Sequence, residues 1–248
     1  MKKAFLKLIY FILILCIGIW IGNQGIKMLW GKAESNLKAS AIQDKSSNIE
    51  ELSGNYKSEE GFDITSSEIM FTIQGDIEFT VGKFKKFDIN LQINNKLSKS
   101  KISVVIDANS IFSDNEKRDN HLKGDDFFNT ENYPEITFKS ESINLSGISE
   151  ECYNYISKGK LSMLGTQKDV NVKFNYIGYG KNLNNKDIAI FEGSFIFDRT
   201  KYGMSEAESV GNKVKINFYT ELIKQEGELI NEESQESLEN DEEDEFDF

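Results

Sequence analysis

Ile69, Phe71 and Ile73 stand at every second position between Met70, Thr72 and Gln74, and Ile77, Phe79 and Val81 repeat the alternation against Glu78 and Thr80. A period of two puts one set of side chains on each face of a strand, so both stretches are expected to be half-buried strands. The pattern breaks across residues 82–86 and resumes as Phe87, Ile89, Leu91 and Ile93. A bulge or corner that bends one long strand accounts for the break. Further runs follow at Ile102, Val104 and Ile106, at Ile136 and Phe138, over 159–163, at Val170, Val172, Phe174 and Tyr176, over 188–197, and at Val214, Ile216 and Phe218. About eight strands are predicted. No long stretch with a helical period separates them, so the connections are short and the sheet antiparallel, either a sandwich or a closed barrel.

One gap lacks the alternation. Its core reads KRDNHLKGDDFFNTENYPEITF and holds the only histidine, His121, and the only proline, Pro134. The gap is rich in Asp and Asn, with a small apolar group at Leu122, Phe127 and Phe128, and predicts a short helix followed by a loop. Pro134 is tolerated where a strand begins, since its missing N–H needs no ladder partner there. Tyr133-Pro134 therefore opens a strand at Glu135.

The two ends differ from the middle. Lys2, Lys3 and Lys7 precede an uncharged apolar run over residues 8–22, and no small-residue cleavage site follows closely. Residues 1–30 are read as a signal anchor, a transmembrane helix that leaves the bulk of the chain outside the cytoplasm, with Trp20, Trp30, Lys27 and Lys32 at the outer interface. Residues 31–55 form a polar spacer with a short helix over 42–52. At the other end, residues 226–248 carry twelve acidic side chains and no basic one, which equals the whole net charge of -12. The remaining 29 acidic residues balance the 29 lysines and arginines, so the middle of the chain offers no nucleic-acid surface. Residues 225–248 have too little apolar surface to offset ordering entropy and are expected to be disordered. Cys152 is the only cysteine beyond the apolar run, so no disulfide can staple the exported domain and its stability must come from its core.

Candidate chemistry is sparse. His121 has Asp119, Asp125 and Asp126 nearby in sequence, but a zinc site needs more nitrogen or sulfur ligands than one histidine and an isolated cysteine supply. Arg118, Asp119 and His121 are instead expected to tie the loop by hydrogen bonds while Leu122, Phe127 and Phe128 seat it on the barrel. No phosphate-binding Gly-rich loop, G-x-S-x-G or C-x-x-C is present, so no catalytic residue, metal or cofactor is assigned and the chain is read as a non-enzyme. Arg199, at the end of an aromatic strand, is read as a structural ion pair rather than a headgroup ligand.

The stretch RDNHLKGDDFFNTENYPEITF resembles the R-D-x-H-L…D-F-F…Y-P-x-I-T-F signature of the YceI-like family. Three more blocks are similar to the same family in the same order: GKLSMLGTQKDVNVKF, FEGSFIFDRTKYGM and VGNKVKINFYTEL. The resemblance spans about residues 56–224. Gln74-Gly75 stand where many members have a histidine, and Asp169 where many have a proline.

The resemblance implies an exported, lipocalin-like, eight-stranded antiparallel barrel whose apolar interior holds a polyisoprenoid or similar long chain, with no other cofactor. From the apolar parity of each strand, the wall is expected to present Phe71, Ile73, Phe79, Phe87, Ile89, Phe138, Phe174, Phe195 and Phe218. The loop signature Arg118, Asp119, His121, Leu122, Phe127, Phe128 and Pro134 is assigned a structural part. The alternative is a non-catalytic surface-interaction module with a filled barrel, since an eight-stranded barrel is at the size where the interior either packs solid or holds one ligand.

Overall fold

The computed structural model describes residues 42–44, 49–61, 66–75, 78–146, 155–205 and 209–226. The chain divides into two units, Met1–Asn36 and Leu37–Phe248. The expected anchor and the acidic tail beyond Glu226 lie outside the described residues, as do Cys152 and Ile77. Among the described residues no helix is long and apolar enough to cross a membrane.

Twelve strand segments follow in chain order: β1 Ile42–Asp44, β2 Gly54–Lys57, β3 Glu68–Gly75, β4 Phe79–Phe84, β5 Phe87–Ile93, β6 Lys101–Asp107, β7 Ile111–Phe112, β8 Glu135–Leu145, β9 Tyr155–Met163, β10 Thr166–Lys181, β11 Asp187–Asp198 and β12 Val210–Lys224. Segments β4 and β5 are the two halves of one strand bent at Lys85-Lys86, and β6 and β7 are likewise halves of another. Eight strand positions therefore run round a closed antiparallel barrel, which β11 seals by pairing with both β10 and β12. Closure removes the free edges that an open sheet would expose. The two short strands β1 and β2 are additions, β1 on β10 and β2 in the gap between β5 and the end of β12.

Part of the stretch read as a polar spacer is thus built into the barrel. Its expected helix over 42–52 is instead the strand β1 and a 3-10 turn, Ile49–Leu52, which covers one end of the lumen. The reason is burial: Ile49 is wholly buried and Leu52 nearly so. The Ile49 N–H donates to the Tyr155 hydroxyl at 3.1 Å, and the Tyr56 hydroxyl donates to the Leu52 carbonyl at 2.7 Å. Burial pushes the Tyr56 phenol well above its ordinary pKa, so it stays a donor. This end is a floor.

Two glycines set how the interior fills. A Cβ on Gly82 would strike the Phe71 ring, and one on Gly193 would strike both the Phe218 ring and the Lys173 carbonyl. Each aromatic ring lies across the neighbouring strand where only a glycine leaves room.

On the outer face of β12, Glu221 is 5 % exposed, accepts a hydrogen bond from the Tyr219 hydroxyl at 3.1 Å, and donates its backbone N–H to Ser67 Oγ. Burial, helped by the charge of Glu59 and opposed by the Tyr219 hydrogen bond, raises its pKa. A carboxyl whose pKa is raised by folding stabilises the native state least when ionised, so this stability is lost as pH rises through the folded value. Glu221→Gln should therefore raise the melting temperature at neutral pH, and the gain should vanish below about pH 4, under the ordinary carboxylate pKa. Melting curves across that range test it, and a gain that persists at low pH would refute the titration. Gly193→Ala should cost about 1–3 kcal/mol in urea denaturation, as overpacking does. Gly211→Ala, whose new Cβ would meet its nearest atom at 3.2 Å, should cost less.

Candidate functional site

Opposite the floor, the helix-and-loop stretch forms the mouth. Asn115 caps the helix α1, Glu116–Lys123, by accepting from the Arg118 N–H at 3.0 Å, and Gly124 ends it. Asn is a strong cap because its short side chain reaches the orphan amides of the first turn. The turn before the helix is tied twice. Asp119, largely buried, accepts from the Ser113 N–H at 2.9 Å and from its hydroxyl, while Arg118 donates to Ser113 Oγ at 2.7 Å and to its carbonyl at 2.6 Å. Beyond the helix, the Phe128 N–H returns to the Leu122 carbonyl at 3.0 Å, so Leu122, Phe127 and Phe128 hang on one folded corner.

A second loop completes the mouth. The Arg199 side chain is 1 % exposed and donates to three main-chain carbonyls, those of Gly211 at 3.0 Å, Val210 at 3.1 Å and Ser205. Its guanidinium lies over the Phe127 ring at 5.6 Å, a cation–π contact that joins the two loops. The Ser205 N–H also donates to the Asp126 carbonyl at 2.9 Å. Through these carbonyl contacts Arg199 organises the loop with its fixed fork of donors.

Between these loops and the floor lies a cavity of about 450 Å3. Its walls are Ile69, Phe71 and Ile73 of β3, Phe84 of β4, Ile106 and Ile136, Leu161 and Met163 of β9, Phe195 and Phe197 of β11, and Val214 and Ile216 of β12. Leu122, Phe127, Phe128 and Met204 roof it. Polar groups gather at the rim: Arg118, His121, Asp126, Arg199, Ser205 and Ser209, with Thr80 on β4. His121 Nε2 stands 3.8 Å from Asp126 Oδ2, both largely exposed, and its ring packs edge-on against Phe127. Toward the floor a second, smaller cavity of about 90 Å3 is lined by Ile69, Ile89, Leu91, Ile102, Val104, Phe138, Val172, Phe174, Phe191, Phe218, Thr220 and Leu222.

Of the wall residues expected from parity, Phe71, Ile73 and Phe195 line the larger cavity, and Ile89, Phe138, Phe174 and Phe218 the smaller. Phe87 is buried in the same core but lines neither cavity. Phe79 is a correction. The inward residues of β4 are Thr80, Gly82 and Phe84, while Val81 is 48 % exposed and Phe79 sits opposite exposed Gln74. The apolar alternation of this strand marks its outer face because the inner face must yield Gly82 to the Phe71 ring. In the loop signature, Arg118, His121, Leu122, Phe127 and Phe128 all border the cavity they scaffold. Asp119 holds Ser113, and Pro134, exposed, presents its carbonyl to the Ala108 N–H at 2.8 Å. Sequence reading missed Met204 and Ser205, which lie in a loop with no periodicity to betray them. Among the described residues no three His, Cys, Asp or Glu side chains converge to hold a metal.

The chain is similar to several known proteins. A UPF0312 protein of Shewanella denitrificans is 33 % identical over 149 residues, covering 59 % of this chain and 76 % of its own. One of Staphylococcus epidermidis is 33 % identical over 147 residues, covering 58 % and 81 %. Among solved structures, the Campylobacter jejuni YCEI protein superposes with a TM-score of 0.53 at 20 % identity over 77 % of this chain and all of that one. A polyisoprenoid binding domain from Saccharophagus degradans does so with a TM-score of 0.51 at 13 % identity over 68 % and 98 %. At such identities these structures speak to the fold. The YceI-like domain profile matches residues 61–222, from the loop before β3 to the end of the barrel, and the chain belongs to that family.

Proposed function

We propose that this protein is a non-enzymatic carrier that holds an apolar, isoprenoid-type chain inside its barrel, exported and tethered at the outer face of the cytoplasmic membrane. The single observation that carries the reading is the cavity of about 450 Å3, apolar below a polar rim. That volume and lining suit one amphiphile with its chain inward and its polar end at the mouth. Burying ten methylenes yields about 8 kcal/mol, comparable with association costs of about 4–15 kcal/mol, and a longer buried chain moves the balance toward binding. The polyisoprenoid binding domain of Saccharophagus degradans, with the same fold, supports this class of ligand. A scaffold packed solid is disfavoured by the same cavity. The tether is supported by the lysines and apolar run of residues 2–22.

Full-length protein purified in a mild detergent and extracted with organic solvent should release an isoprenoid-type lipid, close to one per chain, in mass spectrometry. Val214→Phe, which fills the larger cavity, should reduce the bound lipid to less than about a tenth while leaving the melting temperature unchanged or higher, as cavity filling does. An empty extract, together with no uptake of added prenyl alcohol, would sink the reading. For the tether, the protein should sediment with membranes and resist a high-salt wash with its N-terminus intact. A soluble form starting near Glu34 or Ile42 would overturn it.

A further inference from the structure

The barrel strands pair all the way round, the Ile49–Leu52 turn covers the floor, and the cavity of about 450 Å3 lies under the mouth. Whatever reaches this cavity passes the loops that edge the mouth. Those two loops are built differently. The one after β11 is fixed to the barrel: Arg199, Tyr202 and Met204 are buried, and the Tyr202 ring packs edge-on against Phe197 with centroids 5.6 Å apart.

The corner that carries α1 is tied mainly to itself. Of the eight residues of the helix only Asp119 is buried, and its carboxylate holds Ser113 of the same corner. The amides of Phe127, Phe128, Asn129 and Thr130 return to the carbonyls of Leu122, Lys123 and Gly124. Leu122, Phe127 and Phe128 are its apolar footing, with Phe128 edge-on to Phe84 at 5.9 Å. At each end of the corner a non-glycine residue holds left-handed backbone, Asp114 at φ 60° and Asn129 at φ 42°. Asp and Asn tolerate that conformation where the chain turns sharply, and hinge motions are absorbed at a few such positions at the ends of elements.

A clasp closes this corner on the fixed loop. The Ser205 N–H donates to the Asp126 carbonyl at 2.9 Å and its hydroxyl to the Asp126 carboxylate at 3.3 Å, and both residues are exposed. Arg199, which also holds the Ser205 carbonyl, lies over the Phe127 ring at 5.6 Å. Exposed hydrogen bonds and a small apolar footing are the marks of a unit that opens at low free energy.

Resting on the carrier function proposed above, we infer that residues 115–128 form a lid hinged at Asp114 and Asn129, and that the Asp126–Ser205 clasp sets the rate at which the barrel loads and releases its cargo. Lifting the lid carries Leu122, Phe127 and Phe128 off the cavity, while the Arg199 loop and the barrel wall stay in place. The clasp acts on kinetics: it is made in the empty and the loaded protein alike, so it slows entry and exit together.

The test locks the clasp. Asp126→Cys with Ser205→Cys, in full-length protein that also carries Cys16→Ser and Cys152→Ser, puts two thiols on residues already joined main chain to main chain, close enough for a disulfide to form. The protein, in mild detergent, is loaded with farnesol and mixed with excess deuterated farnesol, and the exchange is followed by native mass spectrometry. After oxidation with diamide, exchange should be slower by about tenfold or more than in the same protein reduced with dithiothreitol, because the lid can no longer lift. Asp126→Ala, which removes the side-chain half of the clasp, should speed exchange by about two- to tenfold, the factor that one ordinary hydrogen bond supports, with a smaller change in the dissociation constant. Equal exchange in the oxidised and reduced protein, with the bridge confirmed by mass, would overturn the lid and leave the carrier function standing. Farnesol bound to no form of the protein, the wild type included, would overturn the carrier function and the lid with it. If the bridge does not form, Asp126→Ala decides, and an exchange rate that fails to rise overturns the clasp.

Discussion

The pairing of β11 with β12 is the constraint on which everything else hangs. It runs without a shift from Ile188 opposite Ile223 to Asp198 opposite Lys213, and with the β10 pairing it turns a sheet into a closed wall. Once the wall is closed, inward side chains have only one another to pack against, and the number of strands rather than their sequence decides how much space they must fill. Eight strands leave slightly more room than these side chains occupy. Where the surplus collects is decided locally: near the floor, Tyr155, Phe174, Phe191 and Tyr176 pack ring on ring and consume most of it. Near the mouth the inward positions are mostly aliphatic, with Thr80 and Gly82 on β4, and it remains as a cavity.

Much of this was legible because a barrel strand carries a period of two from end to end. Ile89 and Leu91, or Phe174 and Tyr176, announce the inner face by simple alternation, and Pro134 marks the start of β8 without reference to any partner. Legibility failed where another part of the fold claimed the space. Phe79 and Val81 look inward by hydrophobicity, yet the inner face of β4 is the one with Thr80 and Gly82, since the Phe71 ring arrives from the next strand. No local pattern records that arrival. The 3-10 turn at Ile49 and Leu52 was hidden for a similar reason, two apolar residues in a polar stretch that find their burial only at the end of a lumen formed much later in the chain.

The loops at the mouth show a third kind of information. Arg199 could be singled out by its charge in an aromatic strand, but not its partners, because three carbonyls from Ser205, Val210 and Gly211 have no side-chain identity to read. The same guanidinium over Phe127 couples the loop after β11 to the corner after α1, so the roof of the cavity is held by a residue that is itself buried. At this rim Arg118 and Arg199 are spent on holding backbone, while the exposed His121 and Asp126 stand beside each other.

The barrel is also asymmetric in where its chain comes and goes. Ile42–Asp44 joins β10 beside Tyr179 and Gly180, and Gln225 donates to the Asn55 carbonyl just past the last strand, so the described chain enters and leaves at the floor side. Among the described residues, the mouth is edged by internal loops. A reporter or coupling group joined directly after Gln225 would therefore leave the barrel at its sealed side, away from the cavity.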